Sequence, residues 1–227
     1  MLSESIQNYL KTIYKLNEDG RRVNTNALAD KLAISAASVT GMVKKLAEMK
    51  LVEHEPYQGF HLTPTGEKMA LEIVRHHRLI ELYLMEAMGF SWDQVHDEAE
   101  RLEHAISEEF EDRMAALLGD PKHDPHGDPI PSKEGIVADV SRRRLSDVKV
   151  GDVVLIERVV DDNGEQLRQL GWLGLKPRVI IKVMANDHSN ANLWCNICPP
   201  SDHLPFYEAT NNPIKINRSL AQSIFVK

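Results

Sequence analysis

The sequence has only two cysteines, Cys195 and Cys198, among its 227 residues. Two thiols three positions apart are too few for the disulfide framework of a small secreted protein. No second pair is present to complete a four-thiolate zinc site, and no helix-opening pattern follows to suggest a redox motif. We therefore interpret the pair as structural and expect a reducing compartment, the cytoplasm.

Long apolar runs are also missing. Hydrophobic residues make up 42% of the chain, but no run approaches the roughly 20 consecutive apolar residues that cross a membrane. The first residues do not resemble a signal peptide. We expect a chain without a membrane partner, folded into two or three small domains.

Charge is distributed unevenly along the chain. Residues 1–63 carry 8 basic and 7 acidic side chains (net +1), residues 64–140 carry 7 and 18 (net −11), and residues 141–227 carry 12 and 9 (net +3). An acidic centre with near-neutral to basic flanks is typical of a cation-binding segment next to one that can approach a polyanion.

The stretch Ser91–His104 contains metal-ligand side chains at helical spacing. Ser91 and Gln94 have the spacing of a capping box, which predicts that a helix begins here. At about 100° per residue, the ligand-type side chains of the next turns fall on one face; they are His96, Glu100, Glu103 and His104. Such a semi-buried stripe needs a compensating cation, so we predict a divalent metal site.

A second helix strengthens this prediction. Thr63 and Pro64 are typical of a helix N-terminus, and Gly89 is typical of its end. Near the middle, His77 and Glu81 lie one turn apart on the same face. Two helices that both carry ligand types at this spacing favour a metal centre built between helices.

The first 63 residues predict a winged helix-turn-helix. Helical spacing indicates helices over residues 5–16, 24–34 and 35–49, followed by a strand, a turn and a return strand over residues 51–62. Small residues at the start of the third helix let it enter a major groove, and nearby polar side chains can reach phosphates. The candidate DNA contacts are Ser35, Ala37, Ser38, Thr40, Lys44, Lys45 and, on the wing, Tyr57.

Several separated motifs resemble the diphtheria toxin repressor family of iron- and manganese-dependent regulators. They are N-Y-L-K-T-I-Y-K-L at 8–16, S-V-T-G-M-V-K-K-L at 38–46, L-T-P-T-G-E-K at 62–68, R-H-H-R-L-I-E at 75–81, V-H-D-E-A-E-R-L-E-H at 95–104 and P-H-G-D-P-I-P at 125–131. The resemblance implies a mainly α fold with small β elements in three domains. These are a winged helix-turn-helix DNA-binding domain at 1–63, a helical dimerisation and metal-binding domain at 64–140 and an SH3-like β barrel at 141–227.

The resemblance also implies two metal sites. The first takes Asn8, Glu100, Glu103 and His104, and the second takes His77, Glu81, His96 and Gln166, with Glu165 as a possible substitute because Asn163 stands where relatives have a glutamate. Lys11 occupies a position where some manganese regulators have a glutamate that joins a binuclear site. The lysine favours separate sites. His123, Asp124, His126 and Asp128 could suggest metal ligands, but the resemblance assigns P-H-G-D-P-I-P at 125–131 a packing role, so we do not count them as ligands.

The first ligand set contains oxygen and imidazole donors without thiolate or thioether. Hard donors of this kind suit Mn²⁺ and, less exclusively, Fe²⁺. We therefore expect a metal-activated repressor of metal-uptake genes that responds to Mn²⁺, alternatively to Fe²⁺, and binds a palindromic duplex operator as a homodimer.

Two other functions account for part of the pattern. A carboxylate and histidine metalloenzyme on a helical bundle explains the ligands but not the helix-turn-helix and wing. The sequence also has no nucleophile motif or phosphate loop, so we do not expect an enzyme. Metal storage requires more ligands than the chain offers.

Overall fold

A computed structural model describes residues 2–17, 20, 22–55, 58–187, 191–198 and 213–227. The chain divides into two compact units. Unit 1 comprises Met1–His77, Glu100–Arg113 and Pro131–Val137, and unit 2 comprises Arg78–Ala99, Met114–Ile130 and Ala138–Lys227. The division into domains at 1–63, 64–140 and 141–227 stays a prediction.

Unit 1 begins with three helices and a two-stranded wing. The elements are α1 Glu4–Leu16, α2 Thr25–Leu32, α3 Ala36–Glu48, β1 Val52–Glu55 and β2 Gly59–Leu62. The side chains of Asn24 and Ser35 accept hydrogen bonds from backbone amides at the starts of α2 and α3, which satisfies donors that the first turn leaves open. β1 and β2 are antiparallel, with Val52 opposite Leu62. The predicted helix-turn-helix and wing are confirmed.

The core of this part of unit 1 is apolar and closed. Leu10 and Ile13 of α1 are fully buried with Leu28 of α2 and Leu46 of α3, and Phe60 of the wing packs into the same cluster. The spacing of the two α1 residues explains their common face. This packing leaves the opposite face of α3 in solvent.

The fourth helix, α4, extends over 25 residues, Pro64–Met88. The Thr63 hydroxyl accepts the Gly66 amide at 3.1 Å, and Gly89 follows the helix with φ of +74°. Both predicted boundaries are therefore confirmed.

The next helix is shorter than the predicted one. α5 covers Val95–Leu102 and α6 covers Glu108–Leu117. The Gln94 amide donates to the Ser91 carbonyl in a turn. The Trp92 carbonyl oxygen lies 2.7 Å from Nε2 of His126, and this contact takes the place of a hydrogen bond within a helix. Helix α5 therefore starts at Val95, and Glu103 and His104 lie in the turn after its last residue.

The C-terminal part of unit 2 is a five-stranded antiparallel sheet in the order β6-β5-β4-β3-β7, which fits the expected SH3-like barrel. The strands are β3 Val153–Val159, β4 Ile180–Asp187, β5 Asn192–Cys198, β6 Ile214–Asn217 and β7 Ile224–Val226, with helices α7 Gly164–Trp172 and α8 Arg218–Gln222 between them. Strand β3 follows a turn in which Gly151 has φ of +95°.

Cys195 belongs to the hydrophobic core of this sheet, whereas Cys198 is half-buried. Burial raises the pKa of the Cys195 thiol to about 12. A thiol that stays protonated is a poor nucleophile and a poor metal ligand. The thiol of Cys195 is therefore a packing group, in agreement with the structural interpretation.

No helix within the described ranges has the length and apolar character needed to span a membrane.

Candidate metal centres and DNA-binding face

Unit 1 brings the first predicted ligand set together. Oδ1 of Asn8, on α1, lies 2.7 Å from Nε2 of His104, and the same nitrogen lies 3.4 Å from Oε1 of Glu103. Nδ1 of His104 lies 2.6 Å from Oε1 of Gln7, which fixes the orientation of the ring. These contacts join α1 to residues nearly one hundred positions further along the chain.

Lys11 lies on the same side of α1 and contacts both glutamates. Its Nζ donates to Oε1 of Glu100 at 2.6 Å and to Oε1 of Glu103 at 2.5 Å. The Lys11 and Glu103 side chains are 4% and 0% exposed, whereas that of Glu100 is 38% exposed. A lysine is rarely buried to this extent without a charged partner. The ammonium group therefore compensates carboxylate charge inside unit 1.

The surroundings of Glu100 favour its ionised form. Burial raises the pKa of the Glu100 carboxyl, but attraction by Lys11 and His77 and the Lys11 hydrogen bond outweigh burial and lower it. The second oxygen of Glu103 lies 2.6 Å from Nδ1 of His77. His77, predicted for the second site, thus contacts a glutamate predicted for the first.

Behind this centre, an ionic network stabilises α4 and α6. Oε1 of Glu111 accepts from Nε of Arg75 at 2.5 Å, and Oε2 lies 2.9 Å from Nε2 of His76. Burial opposes ionisation of Glu111, but the hydrogen bonds from His76 and Arg75 prevail and lower its pKa to about 2. Nδ1 of His76 lies 3.3 Å from the carbonyl oxygen of Glu103. The network thereby supports the backbone of a predicted ligand.

Unit 2 contains a second group of ligand-type side chains. Nδ1 of His96 lies 3.1 Å from Oε1 of Glu81 and 3.5 Å from Oδ2 of Asp161. Glu81 is fully buried, and the carboxylate of Asp161 precedes helix α7 of the barrel. Ligand atoms of the three residues lie within 4.8 Å of one another. Two carboxylates and an imidazole at this spacing can hold a divalent ion.

Two further side chains in unit 2 adjoin Glu81. Asp124, His126 and Glu81 form a second buried group within the same 4.8 Å limit. Nδ1 of His126 is 3.6 Å from Oε2 of Glu81, beyond hydrogen-bond length. This nitrogen and Oδ2 of Asp124 are buried and have no hydrogen-bond partner in the described part of the chain. Nε of Arg78 lies 3.7 Å from Oδ2 of Asp124, which compensates part of the charge but is beyond hydrogen-bond length, so both atoms retain capacity for a hydrogen bond or an ion.

Electrostatics also favour a cation in this place. Burial and the negative charges of Asp128 and Glu81 raise the pKa of Asp124 well above its usual range. Burial lowers the pKa of His126, but Glu81, Asp124 and Asp161 outweigh burial and raise it to about 10. The group thus attracts a proton that a metal ion would displace.

The barrel residues predicted for this site lie on α7. The Asn163 side chain caps the helix by accepting the Gln166 amide at 3.0 Å. Glu165 is exposed on the same turn. The participation of Gln166 stays a prediction, while Asp161 is the barrel carboxylate that lies beside His96.

Sequence reasoning did not select Asp124, His126 or Asp161 as ligands. The spacing of Asp124 and His126 in D-P-H gave a local signal, which the assigned packing role obscured. Asp161 gave no local signal, because its neighbours in space lie 65 and 80 positions earlier in the sequence, at His96 and Glu81. Only the fold brings them together.

The two centres differ in how well they accommodate metal ions. The unit 2 group offers oxygen and imidazole donors, and Nδ1 of His126 and Oδ2 of Asp124 have no hydrogen-bond partner among the described residues. In unit 1, the side chains of Asn8, Glu103 and His104 lie together, and the space shared by His77, Glu100 and Glu103 adjoins the ammonium of Lys11. An ion in that shared space would meet a like charge.

The exposed face of α3 carries the predicted DNA contacts. Val39, Val43 and Leu46 point into the core, and the candidate contacts on the other side are exposed; they are Ser35, Ala37, Ser38, Thr40, Lys44 and Lys45. The Thr40 hydroxyl donates to the Ala36 carbonyl at 2.9 Å. Tyr57, the predicted wing contact, lies outside the described residues.

A winged helix with an open recognition helix, in a chain that also has carboxylate and imidazole centres, defines a metal-dependent DNA-binding regulator. The chain belongs to the iron-dependent repressor family. Residues 1–60 match the family's N-terminal DNA-binding domain, and residues 63–132 match its metal-binding and dimerisation domain. The expected family and the general function, a metal-dependent DNA-binding transcriptional repressor with a dimerisation domain, are therefore confirmed.

Relatives resemble the chain over most of its length. The diphtheria toxin repressor of Corynebacterium efficiens is 34% identical over 185 residues, which cover 77% of this chain and 80% of the relative. The iron-dependent repressor IdeR of Mycobacterium leprae is 28% identical and covers 96% and 98% of the two chains. A solved manganese-dependent transcriptional repressor in complex with manganese is 34% identical, with a TM-score of 0.87 and coverage of 97% and 98%.

Proposed function

We propose that Mn²⁺, alternatively Fe²⁺, activates this chain to bind a palindromic operator as a homodimer and repress metal-uptake genes in the cytoplasm. The observation that carries the proposal is the contact between Oδ1 of Asn8 and Nε2 of His104 at 2.7 Å, with Oε1 of Glu103 3.4 Å from the same nitrogen. Asn8 belongs to the DNA-binding segment, and His104 belongs to the dimerisation segment.

Asn8, Glu100, Glu103 and His104 would hold the ion of the first centre. When bound, the ion would supply positive charge to ligands from α1 and from the turn after α5. Asn8 then ties the helix bundle that contains α3 to the segment that forms the dimer. In a two-fold dimer such a tie sets the spacing of the two α3 helices, which must match half-sites about one helical turn apart or a multiple of it.

A second centre would take Glu81, His96 and Asp161, with His126 and Asp124 adjoining. Its contacts of 3.1, 3.5 and 3.6 Å support this assignment. His77 and Gln166 remain candidates from the family resemblance. We propose that this centre fixes Asp161 of the barrel segment to α4 within unit 2.

The donor chemistry supports manganese over later metals. Both proposed centres offer oxygen and imidazole atoms and include no sulfur ligand; Cys195 and Cys198 lie on β5, with the Cys195 thiol in the core. Hard oxygen donors suit Mn²⁺ and Fe²⁺. The solved relative with manganese is consistent with this preference. We propose a regulator rather than an enzyme because these donors account for the buried charge without a catalytic nucleophile.

A binding titration tests the proposal. A fluorescent duplex, selected from a random-sequence pool with Mn²⁺-loaded protein, is titrated anaerobically in chelator, in Mn²⁺ and in Fe²⁺. We expect Mn²⁺ to tighten binding at least about tenfold, a typical coupling between two ligands. A response to Fe²⁺ alone would contradict the manganese assignment, and equal binding in all three conditions would contradict the function.

A matched pair of variants connects that response to the site. Glu103→Gln keeps the shape of a buried side chain but removes its charge, so we expect the metal response to disappear. Asp97→Asn removes the same charge from an exposed position of α5 and should leave the response intact.

A further inference from the structure

Lys11 occupies the position of a cation in unit 1. His77, Glu100 and Glu103 place ligand atoms within 4.8 Å of one another, a spacing that suits a metal ion. The Lys11 ammonium donates to the two carboxylates of this group at 2.6 and 2.5 Å, and His77 lies 2.6 Å from the remaining oxygen of Glu103. The group therefore already holds a positive charge.

The lysine is held in this position. It is 4% exposed, and its neighbours on α1, Leu10 and Ile13, are fully buried in the core. Both oxygens of Glu103 are engaged, one by Lys11 and one by His77. For Lys11 to leave, its buried charge and that of Glu103 would lose their partners, which is unfavourable in a protein interior.

The nearest α1 ligand is also uncharged. Asn8 presents an amide oxygen to His104, so the α1 side chains that contact this centre bring the positive charge of Lys11 and no negative charge. Glu100 and Glu103 are the carboxylates within it. With one of their two charges compensated by Lys11, one negative charge is left, which is too little to balance two divalent ions.

We propose that Lys11 is a protein-borne cation that replaces one metal ion. It ties α1 to Glu100 and Glu103 without metal, and it limits this centre to one divalent ion. It also supports a part of the operator-binding affinity that remains when a chelator removes the metal. The last consequence rests on the proposed operator binding and the second on the proposed metal centre, whereas the metal-free tie rests on neither.

The first test measures metal-free stability. Lys11→Met keeps the length of the side chain but removes the charge, and Lys68→Met removes the same charge from an exposed position of α4 in unit 1. In chelator we expect Lys11→Met to lower the melting temperature by about 6 °C or more and Lys68→Met to change it by much less. Mn²⁺ should stabilise Lys11→Met more than the native protein, because an ion can then neutralise the glutamates.

The second test counts ions. Dialysis against Mn²⁺ followed by elemental analysis should give one more ion per chain for Lys11→Glu than for the native protein, since the variant replaces a cation by a carboxylate ligand. The ion count of Lys11→Glu tests the role of Lys11 even if Lys11→Met does not fold in any condition. Unchanged ion number in Lys11→Glu, or a Lys11→Met variant as stable in chelator as the native chain, would overturn the proposal.

The third test measures duplex binding in chelator. The native protein should bind the selected duplex more tightly than Lys11→Met by at least about tenfold, the scale of a typical coupling. Equal affinities of the native protein and Lys11→Met in chelator would show that Lys11 does not support metal-independent operator binding. If the native protein binds no duplex in any condition, the proposed function fails, while melting and ion counting still judge the role of Lys11.

Discussion

The Asp161 carboxylate contributes negative charge to the proposed second centre. Asp161 lies 3.5 Å from Nδ1 of His96, and it is among the negative charges that raise the pKa of His126. Its neighbour Asp162 is exposed. Adjacent residues of one chemical type therefore have different surroundings, which allows a direct comparison.

Asp161→Asn tests that centre. The amide keeps the shape of the side chain but removes its charge, so we expect Mn²⁺ binding at the second centre to weaken at least about tenfold, since even outer-sphere changes can have that effect. Asp162→Asn should leave the Mn²⁺ affinities of both proposed centres unchanged. Calorimetric titration with Mn²⁺ measures both variants, and identical isotherms for the native protein and Asp161→Asn would exclude Asp161 as a ligand.

At the residue level, the sequence could predict which ligand-type side chains lie together where they share a helix or a short turn. Glu100, Glu103 and His104 lie within five positions, and the family resemblance added Asn8, which contacts His104. His126 and Asp161 were missed because their proximity to Glu81 depends on the Pro-rich loop and the barrel. Helical periodicity contains no information on such contacts.

At the scale of elements, the start of α4 is fixed against the wing. A Cβ at Gly66 would collide with the Leu51 carbonyl group, whereas a Cβ at Gly41, in α3, would meet nothing within 4 Å. The Thr63 hydroxyl caps α4 in the same region, donating to the Lys50 carbonyl at 2.8 Å and accepting from the Gly66 amide. Close backbone approach therefore explains a glycine inside a helix.

The two helical glycines give opposite predictions. Gly66→Ala should lower the free energy of unfolding by about 1–3 kcal/mol because the backbone must move. Gly41→Ala should raise it by up to about 1 kcal/mol, since alanine loses less entropy in a helix. Urea denaturation followed by circular dichroism measures both, and a Gly66→Ala protein as stable as the native one would show that the contact is easily relaxed.

Most element boundaries could be predicted from local signals. Caps at Asn24, Ser35 and Thr63 place three helix starts correctly, because each satisfies amides of its own first turn. The start of α5 was predicted too early, since the Trp92 carbonyl is engaged by His126, more than thirty positions away. A tertiary contact of that kind overrides a capping pattern.

At the scale of the whole molecule, the proposed function makes metal and DNA ligands of one conformation. The proposed first centre contains Asn8 from the DNA-binding segment and His104 from the metal-binding and dimerisation segment. If the ion favours the DNA-binding conformation, linkage requires DNA to tighten ion binding by the same factor. Lys11 would lower that factor, because it already supports the contact between α1 and the two glutamates.

The affinity for Mn²⁺ with and without saturating operator duplex tests the central claim most directly. We expect the duplex to tighten Mn²⁺ binding by about 5- to 150-fold, the range of typical allosteric coupling, and by the same factor that Mn²⁺ tightens duplex binding. An Mn²⁺ affinity that the duplex leaves unchanged would contradict metal-dependent DNA recognition by this chain.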